Sequence, residues 1–398
     1  MPAWLSFSGE ERARMENLDG VGFGTAGDLY LLNRLRFHMQ VRPLRWLKFD
    51  LEAQDARVFG QNTQPPPAAQ RNAMDLRIGY VDVGSEEGPV TLRAGRQPLT
   101  FGEGRVLSDP NWSNVGRSFD AARLTLRRGA LKVDFFSGIS DKVSIGEFDV
   151  PCPGQHFHGA YGSIGKLLPN ATIEPYVFWR LEHNYKSESG TPGNLDEKTF
   201  GFRWVGTLPL GFDYAAEIAD QAGRSAGDRV RSWAGHWLVG HTLPDARHRP
   251  RIFSELNRAS GDGLSRDGIH GGFDPLFPST HDKLGLTDIF TWTNLVHWRT
   301  GFEYTVSPAV KVGAAYNSFW LANARDGLYV GGKAIARSAD GSAGTHIGQQ
   351  ADLQASWTVS RATQVGVGYG RLFPAEFLHR TTAGASYNIV FCNIVQRL

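Results

Sequence analysis

Apolar and polar residues alternate with a period of two along most of the chain, the period of β-strands whose two faces meet different surroundings. In LYLLNRLRFHMQV, Leu29, Leu31, Leu35, Phe37, Met39 and Val41 share one face, while Tyr30, Arg34, Arg36, His38 and Gln40 share the other. In LKFDLEAQD, Leu47, Phe49 and Leu51 oppose Lys48, Asp50, Glu52 and Gln54. MDLRIGY sets Met74, Leu76, Ile78 and Tyr80 against Asp75 and Arg77. The same pattern recurs in VTLRAG, ARLTLR, LKVDFF, FGFRWVG, FEYTV, ADLQASWTV and QVGVGYGRL, and no segment sustains a period of 3.6. These runs predict roughly 18 strands of about 8–13 residues, the length a tilted membrane strand needs.

Tight connections around Pro or Gly (VRPLR, RRGA, TLPLG) alternate with long polar ones, expected at 59–73, 140–156, 183–197, 261–292 and 322–346. Short turns at one rim and long loops at the other are the habit of a transmembrane barrel. No domain boundary or short repeat interrupts residues 1–398, so a single barrel domain is expected. A soluble sandwich or propeller also alternates. The densely charged non-apolar face and the strand length argue against both. So do the aromatics near strand ends: Trp46, Tyr80, Trp179, Trp204, Tyr214, Trp233, Trp237, Trp298, Trp320, Trp357 and Tyr369.

Composition changes this picture little. The formal charge of +2 gives no sign of a polyanion-coating or nucleic-acid-binding protein. Mean hydropathy is −0.31, as expected when lipid-facing and lumen-facing residues alternate. Cys152 and Cys392 lie in unrelated segments and read as isolated thiols. The start, MPAWLSFSGEERARM, lacks a secretory leader pattern, which leaves a cytoplasmic chain or one whose leader lies outside this sequence.

Three blocks carry a family resemblance. GRQPLTFGEGRVLSDPNWSNVGRSFDAARL begins at Gly95, and its W-S-N-x-G-R-x-F-D core spans Trp112–Asp120. SGDG…GGFDPLFPSTHDKLG covers 260–285, and the softer HIGQQADLQASWTVSRATQVGVGYGRLFP covers 346–374. In this order they resemble the alginate-export family of bacterial outer-membrane proteins. The resemblance implies a monomeric, closed antiparallel barrel of about 18 strands in the outer membrane, inserted by the barrel-insertion machinery. It also implies a basic constriction that passes an anionic polysaccharide. The chain ends NIVFCNIVQRL, where such barrels close on an aromatic residue; Phe391 is the candidate for that position.

Strand parity puts Arg34, Arg36, Lys48, Arg77, Arg93, Arg123, Arg127, Arg180 and Arg203 opposite the apolar residues, hence toward the lumen. On the lipid side each would cost roughly 2–4 kcal/mol near the midplane. Arg96, Arg105 and Arg117 sit in turn-rich sequence and are expected to order a loop that folds inward. Together these twelve residues are the candidate wall for carboxylated solute, because guanidinium keeps its charge and grips carboxylates with two donors. Inward acids (Asp50, Glu52, Asp75, Asp134, Glu174, Asp213, Glu217, Glu303, Asp352) offer pairing as the plainer role. Arg34/Arg36 and Arg123/Arg127 are expected to lack a nearby acidic residue at the same strand depth, which marks them for solute.

Catalysis has little support: no serine nucleophile motif accompanies His281–Asp282, and Cys152, His156 and His158 lack a zinc-finger spacing. No resident metal or cofactor is expected, although Asp262, Asp267 and Asp274 among glycines offer a surface-loop Ca²⁺ site. The expected function is an outer-membrane channel for anionic, uronate-type polysaccharide. The alternatives are a porin for small carboxylated solutes and, of another class, an enzyme or adhesin working through its loops.

Overall fold

The computed structural model describes residues 2, 4–62, 66–243, 246 and 248–398. Positions 63–65 of the expected 59–73 loop lie outside the described residues. Eighteen long strands form one closed antiparallel barrel. The first six are β1 Leu5–Val21, β2 Ala26–Leu44, β3 Leu47–Phe59, β4 Asn72–Val83, β5 Val90–Gln97 and β6 Phe119–Arg128. Then come β7 Leu131–Lys142, β8 Gln155–Gly165, β9 Ala171–Lys186, β10 Pro192–Thr207, β11 Phe212–Ser225 and β12 Asp228–Thr242. The last six are β13 Arg251–Ala259, β14 Leu295–Ser307, β15 Val310–Leu321, β16 His346–Thr358, β17 Thr363–Pro374 and β18 Tyr387–Arg397. Each strand pairs with its neighbours in sequence, and β1 meets β18 from Glu10↔Arg397 to Asp19↔Asn388, so no edge is left open. One short helix, α1 Glu376–Thr381, follows β17.

All connections at one rim are short, such as Leu44 to Leu47 and Arg128 to Leu131. The opposite rim carries the long ones: 60–71, 98–118, 143–154, 260–294, 322–345 and 375–386. The expected loop at 183–197 is instead mostly strand. β9 runs on to Lys186 and β10 starts at Pro192, because Ser187, Gly190 and Thr191 close a tight turn.

The barrel's outer face is apolar, with Leu29, Leu35, Phe37, Phe49, Phe200, Phe202 and Leu353 all exposed. Trp46, Trp204 and Trp357 stand on it toward the short-turn rim, Trp233 and Trp298 toward the long-loop rim. Tyr80 leaves this girdle. Glu52 pairs with Ile78 but Ala53 with Leu76, so Arg77 is an extra residue in β4 and reverses the parity that follows. Tyr80 therefore turns inward, with the Arg93 guanidinium 3.8 Å from its ring centre.

Two loops fold into the lumen. The 98–118 loop brings Leu99, Phe101, Val106 and Leu107; the 260–294 loop brings Phe273, Leu284, Leu286, Phe290 and Trp292. Both pack on inward aromatics of the wall, Phe136, Phe157, Tyr161, Tyr176 and Phe178, with Phe101 and Tyr161 stacked at 4.7 Å. The interior is thus apolar on this side of the wall, contrary to the charged face expected along whole strands. Burying such rings against each other is worth more than leaving them in a wet channel.

Candidate pore site

The two inward loops are joined backbone to backbone. Phe277 N–H donates to Val106 O at 2.9 Å, Ser108 N–H to Phe277 O at 2.8 Å, and Ser279 N–H to Gly104 O at 2.8 Å. Trp112 stacks on His281 at 3.5 Å, and the Arg14 guanidinium lies 3.6 Å from the same ring centre. A cationic group, an indole and an imidazole therefore form one layered contact between wall and loops.

A bank of wall arginines holds segment 109–117. Arg12 donates to the carbonyls of Asn111 (2.5 Å) and Ser113 (3.0 Å) and to Asn114 Oδ1 (3.1 Å). Arg14 donates to Trp112 O at 2.6 Å. Arg34 reaches Asn111 O and Ser113 O at 3.3 and 3.2 Å and Asn111 Oδ1 at 2.9 Å. Arg36 reaches Val115 O at 3.3 Å, and Arg77 pairs with Asp109. The segment can turn its carbonyls outward because Gly116 adopts a left-handed φ of 85°. A side chain there would place its Cβ 2.7 Å from Asp109 Oδ1.

The supposition that Arg34, Arg36 and Arg123 lack acids is overturned. Arg34 binds Glu10 at 2.5 Å, Arg36 lies 3.6 Å from Glu52, and Arg123 is 2.9 Å from Asp134. In each case the acid comes from the neighbouring strand, which parity within one strand does not show. Arg127 forms no ion pair among the described residues and donates to Thr91 Oγ1 at 3.3 Å. Lys48 and Arg93 share Asp82 at 3.0 and 2.7 Å.

The other candidates also anchor loops. Arg105 crosses from its loop to Glu255 at 2.8 Å and Asn257 at 3.1 Å on β13. Arg203 binds Glu174 and, at 3.0 Å, Glu103. Burial alone would raise the Glu103 carboxyl, but Arg105, His236 and Arg203 hold it down at about 2. Arg180 meets Asp274 at 2.5 Å, and Arg117 donates to Ser108 O at 2.8 Å. Arg96 has the opposite parity to Arg93 and ties Asp120 (3.0 Å) to Asp141 (3.2 Å) near the rim. The acids divide likewise: Asp50, Asp75, Asp134, Glu217 and Asp352 are buried, and Glu303 is exposed beside Arg251. Of the proposed Ca²⁺ trio, Asp274 binds Arg180, Asp267 accepts Ile269 N–H, and Asp262 stands in a different cluster, with Glu188 and His270. Cys152 and Cys392 are unpaired.

Above the Trp112–His281 floor and under the long loops lies a vestibule of about 870 Å³. Arg14, Glu16 and Tyr30 line one part of its wall, Arg180, Tyr185 and Glu197 another. Tyr30 Oη donates to Glu16 at 2.5 Å. In the floor, burial pushes the Asp288 carboxyl up to about 7 and drives the His281 imidazole well below its usual value. Arg12 and Arg14 escaped the sequence reading, and Trp112 entered it only as part of the family-resembling block. Arginines two apart in EERARMENL were the available signal, but the facing positions Glu11, Asn17 and Asp19 are polar and hid the strand.

The profile of one protein family, described as alginate export, matches residues 3–393. The chain belongs to the alginate-export family. The blocks at Gly95–Leu124 and 260–285, which carry the resemblance, are largely the two loops that meet inside the barrel. No curated protein sequence matches the chain. Among solved structures, Pseudomonas aeruginosa OpdQ superposes with a TM-score of 0.67 at 12% identity, covering 99% of this chain and 98% of that one. OpdK of the same organism gives 0.67 at 10% identity, covering 99% of each chain, and its structure with vanillate gives 0.65 at 10% identity, covering 99% and 98%. These likenesses agree on the barrel. This alginate-export family member is an outer-membrane β-barrel channel, its apolar band facing lipid and its charged wall and inward loops facing the pore.

Proposed function

We propose that this channel passes small carboxylated solutes. The observation that carries the reading is the size of the space over the loop floor. At about 870 Å³ the vestibule falls in the range of small-molecule sites, roughly 300–1,000 Å³. Arg14 and Arg180 bring guanidinium to its wall and Tyr30, Tyr185 and Trp112 bring rings, a combination suited to a carboxylate on a ring. The structural neighbour solved with vanillate, itself a ring carboxylate, supports the same reading.

Passage of a uronate polysaccharide is the second reading. The family match favours it, as does the attachment of segment 109–117 by hydrogen bonds and ion pairs that a polymer could displace. Conductance block in planar bilayers separates the two. Single-ring carboxylates should block from either side at millimolar concentration, and uronate hexamers should block more weakly than monomers. Tighter block by hexamers than by monomers would transfer the assignment to the polymer. Block by neither, with uncharged sugars permeating freely, would refute both.

A further inference from the structure

Many of the inward carboxylates are held by an arginine or lysine, as Asp82, Asp134 and Glu255 are, and Glu217 and Asp352 by neutral donors. Glu188 and Asp262 meet as two acids with one imidazole between them. Glu188, in the tight turn after β9, and Asp262, at the start of the 260–294 loop, converge with His270 so that one ligand atom from each lies within 4.8 Å of the others. No lysine or arginine among the described residues forms an ion pair with either acid; Glu188 Oε2 lies 3.4 Å from His270 Nδ1, and its carboxyl also neighbours that of Asp262. Glu188 Oε1 and His270 Nδ1 are buried without a hydrogen-bond partner.

The third side chain is fixed in place. Asp262 Oδ1 accepts Leu264 N–H at 2.8 Å, Oδ2 accepts Gly271 N–H at 2.6 Å, and its own N–H donates to buried Asp326 at 2.6 Å. Backbone donors of this kind orient a carboxylate while leaving lone pairs free for an ion. Two carboxylates beside one imidazole repel, and a proton or a cation relieves them; burial and Asp262 raise the Glu188 carboxyl, so a metal here would displace a proton.

We propose that Glu188, Asp262 and His270 form a divalent-metal site. One nitrogen and two carboxylate oxygens suit a zinc-class ion better than Ca²⁺. Ligand atoms of a tetrahedral zinc site lie roughly 3.3 Å apart, so binding draws the set inward by about an ångström. Glu188 and His270 also line the vestibule, which leaves the fourth position open to water or to a solute carboxylate. The ion ties the β9–β10 turn to the loop that supplies Phe277, Ser279 and His281 to the pore floor, so its occupancy stiffens that floor.

The test uses untagged, refolded barrel in detergent, titrated with Zn²⁺ by calorimetry and assayed for retained metal after dialysis. One zinc per chain is expected, and Glu188→Gln or His270→Ala should each weaken it by at least about tenfold. The rings of His156, His158 and His183 lie near one another, so His156→Ala is the control and should leave binding unchanged. Heat-dependent gel migration reports whether each variant folds. In the unsubstituted protein Zn²⁺ should also shield His270 from diethylpyrocarbonate. The proposal is overturned if no zinc binds at micromolar concentration, if binding survives both substitutions, if it is lost in His156→Ala, or if His270 is modified equally with and without zinc.

Discussion

Arg12 and Arg34 face each other across β1 and β2, and replacing both by alanine should release the 109–117 segment from the wall. Seven hydrogen bonds run from these two side chains to residues 111–114. Arg34 is only 1% exposed at its side chain, so its replacement strips donors from groups that water does not reach. Hydrogen bonds to charged groups contribute about 1.5–3 kcal/mol each, but shared donors and non-additivity reduce the sum. A loss of about 3–5 kcal/mol per arginine is the scale for breaking a buried charged contact. At about 1.4 kcal/mol per tenfold, the pair shifts loop docking by several orders of magnitude.

The barrel itself rests on strand ladders these side chains do not join, so assembly should survive. Single-channel recordings should show larger conductance and frequent flicker, and protease added from the long-loop side should cut within 109–117. Arg34→Lys keeps charge but loses the fork, and should fall between parent and double variant. If the arginines instead faced solute, the double variant would shift toward cations at unchanged conductance and unchanged protease resistance. That outcome would refute the docking argument.

Gly116→Ala should reproduce the leaky channel, since the left-handed φ costs about 1–2 kcal/mol and the new Cβ meets Asp109 at 2.7 Å. Gly129→Ala, with a φ of 60° and nothing within 4 Å, should conduct like the parent. Burial raises the Asp288 carboxyl to about 7; the hydroxyl of Thr280, donating to it, lowers it in part, and the charge of Glu16 adds to the rise. Its neutral form is therefore the one the folded floor prefers: its contribution is full below the ordinary carboxylate range and is lost as pH rises through about 7. Noise and anion block should change between pH 6 and 8, and Asp288→Asn should flatten that dependence; persistence in the variant would exclude Asp288 as the source. Reversal potentials under a salt gradient should show anion preference, because Arg12, Arg117 and Arg127 carry no carboxylate within ion-pair distance among the described residues. A cation-preferring pore would contradict this.

The barrel was legible where outward positions are apolar, as in β2, β3 and β10, where Phe200, Phe202 and Trp204 flank inward Arg203. β1 was not, because three of its facing positions are polar. Tyr80 was misplaced because a bulge is one residue of pairing, invisible without the partner strand. Inward Tyr176 and Phe178 broke the apolar-out rule because loops remote in sequence cover them. Arginine identity and inward direction were readable; the partners were not, since Glu10 reaches Arg34 from the neighbouring strand β1 and Asn111 and Trp112 reach Arg34 and Arg14 only through loop folding.

That distinction bears on what family membership says about solute. In the first block that carries the resemblance, Trp112 is the ring between Arg14 and His281, and Ser113 Oγ donates to Ala69 O at 2.9 Å. Asn114 reaches the carbonyls of Asn33, Arg57 and Gln70 at 3.0–3.1 Å. Gly116 supplies the left-handed turn, Arg117 holds Ser108 O, Phe119 is fully buried and Asp120 binds Arg96. All of these contacts but the Arg96–Asp120 pair, which joins β5 to β6, fix a loop. In this chain the block therefore sets how the pore is narrowed. The vestibule is lined both by this block, through Trp112, Ser113, Asn114 and Arg117, and by side chains outside it, among them Glu16, Tyr30, Arg180 and Tyr185. Replacing Arg180 or Tyr185 by alanine should therefore change block by carboxylates while the 109–117 segment stays docked.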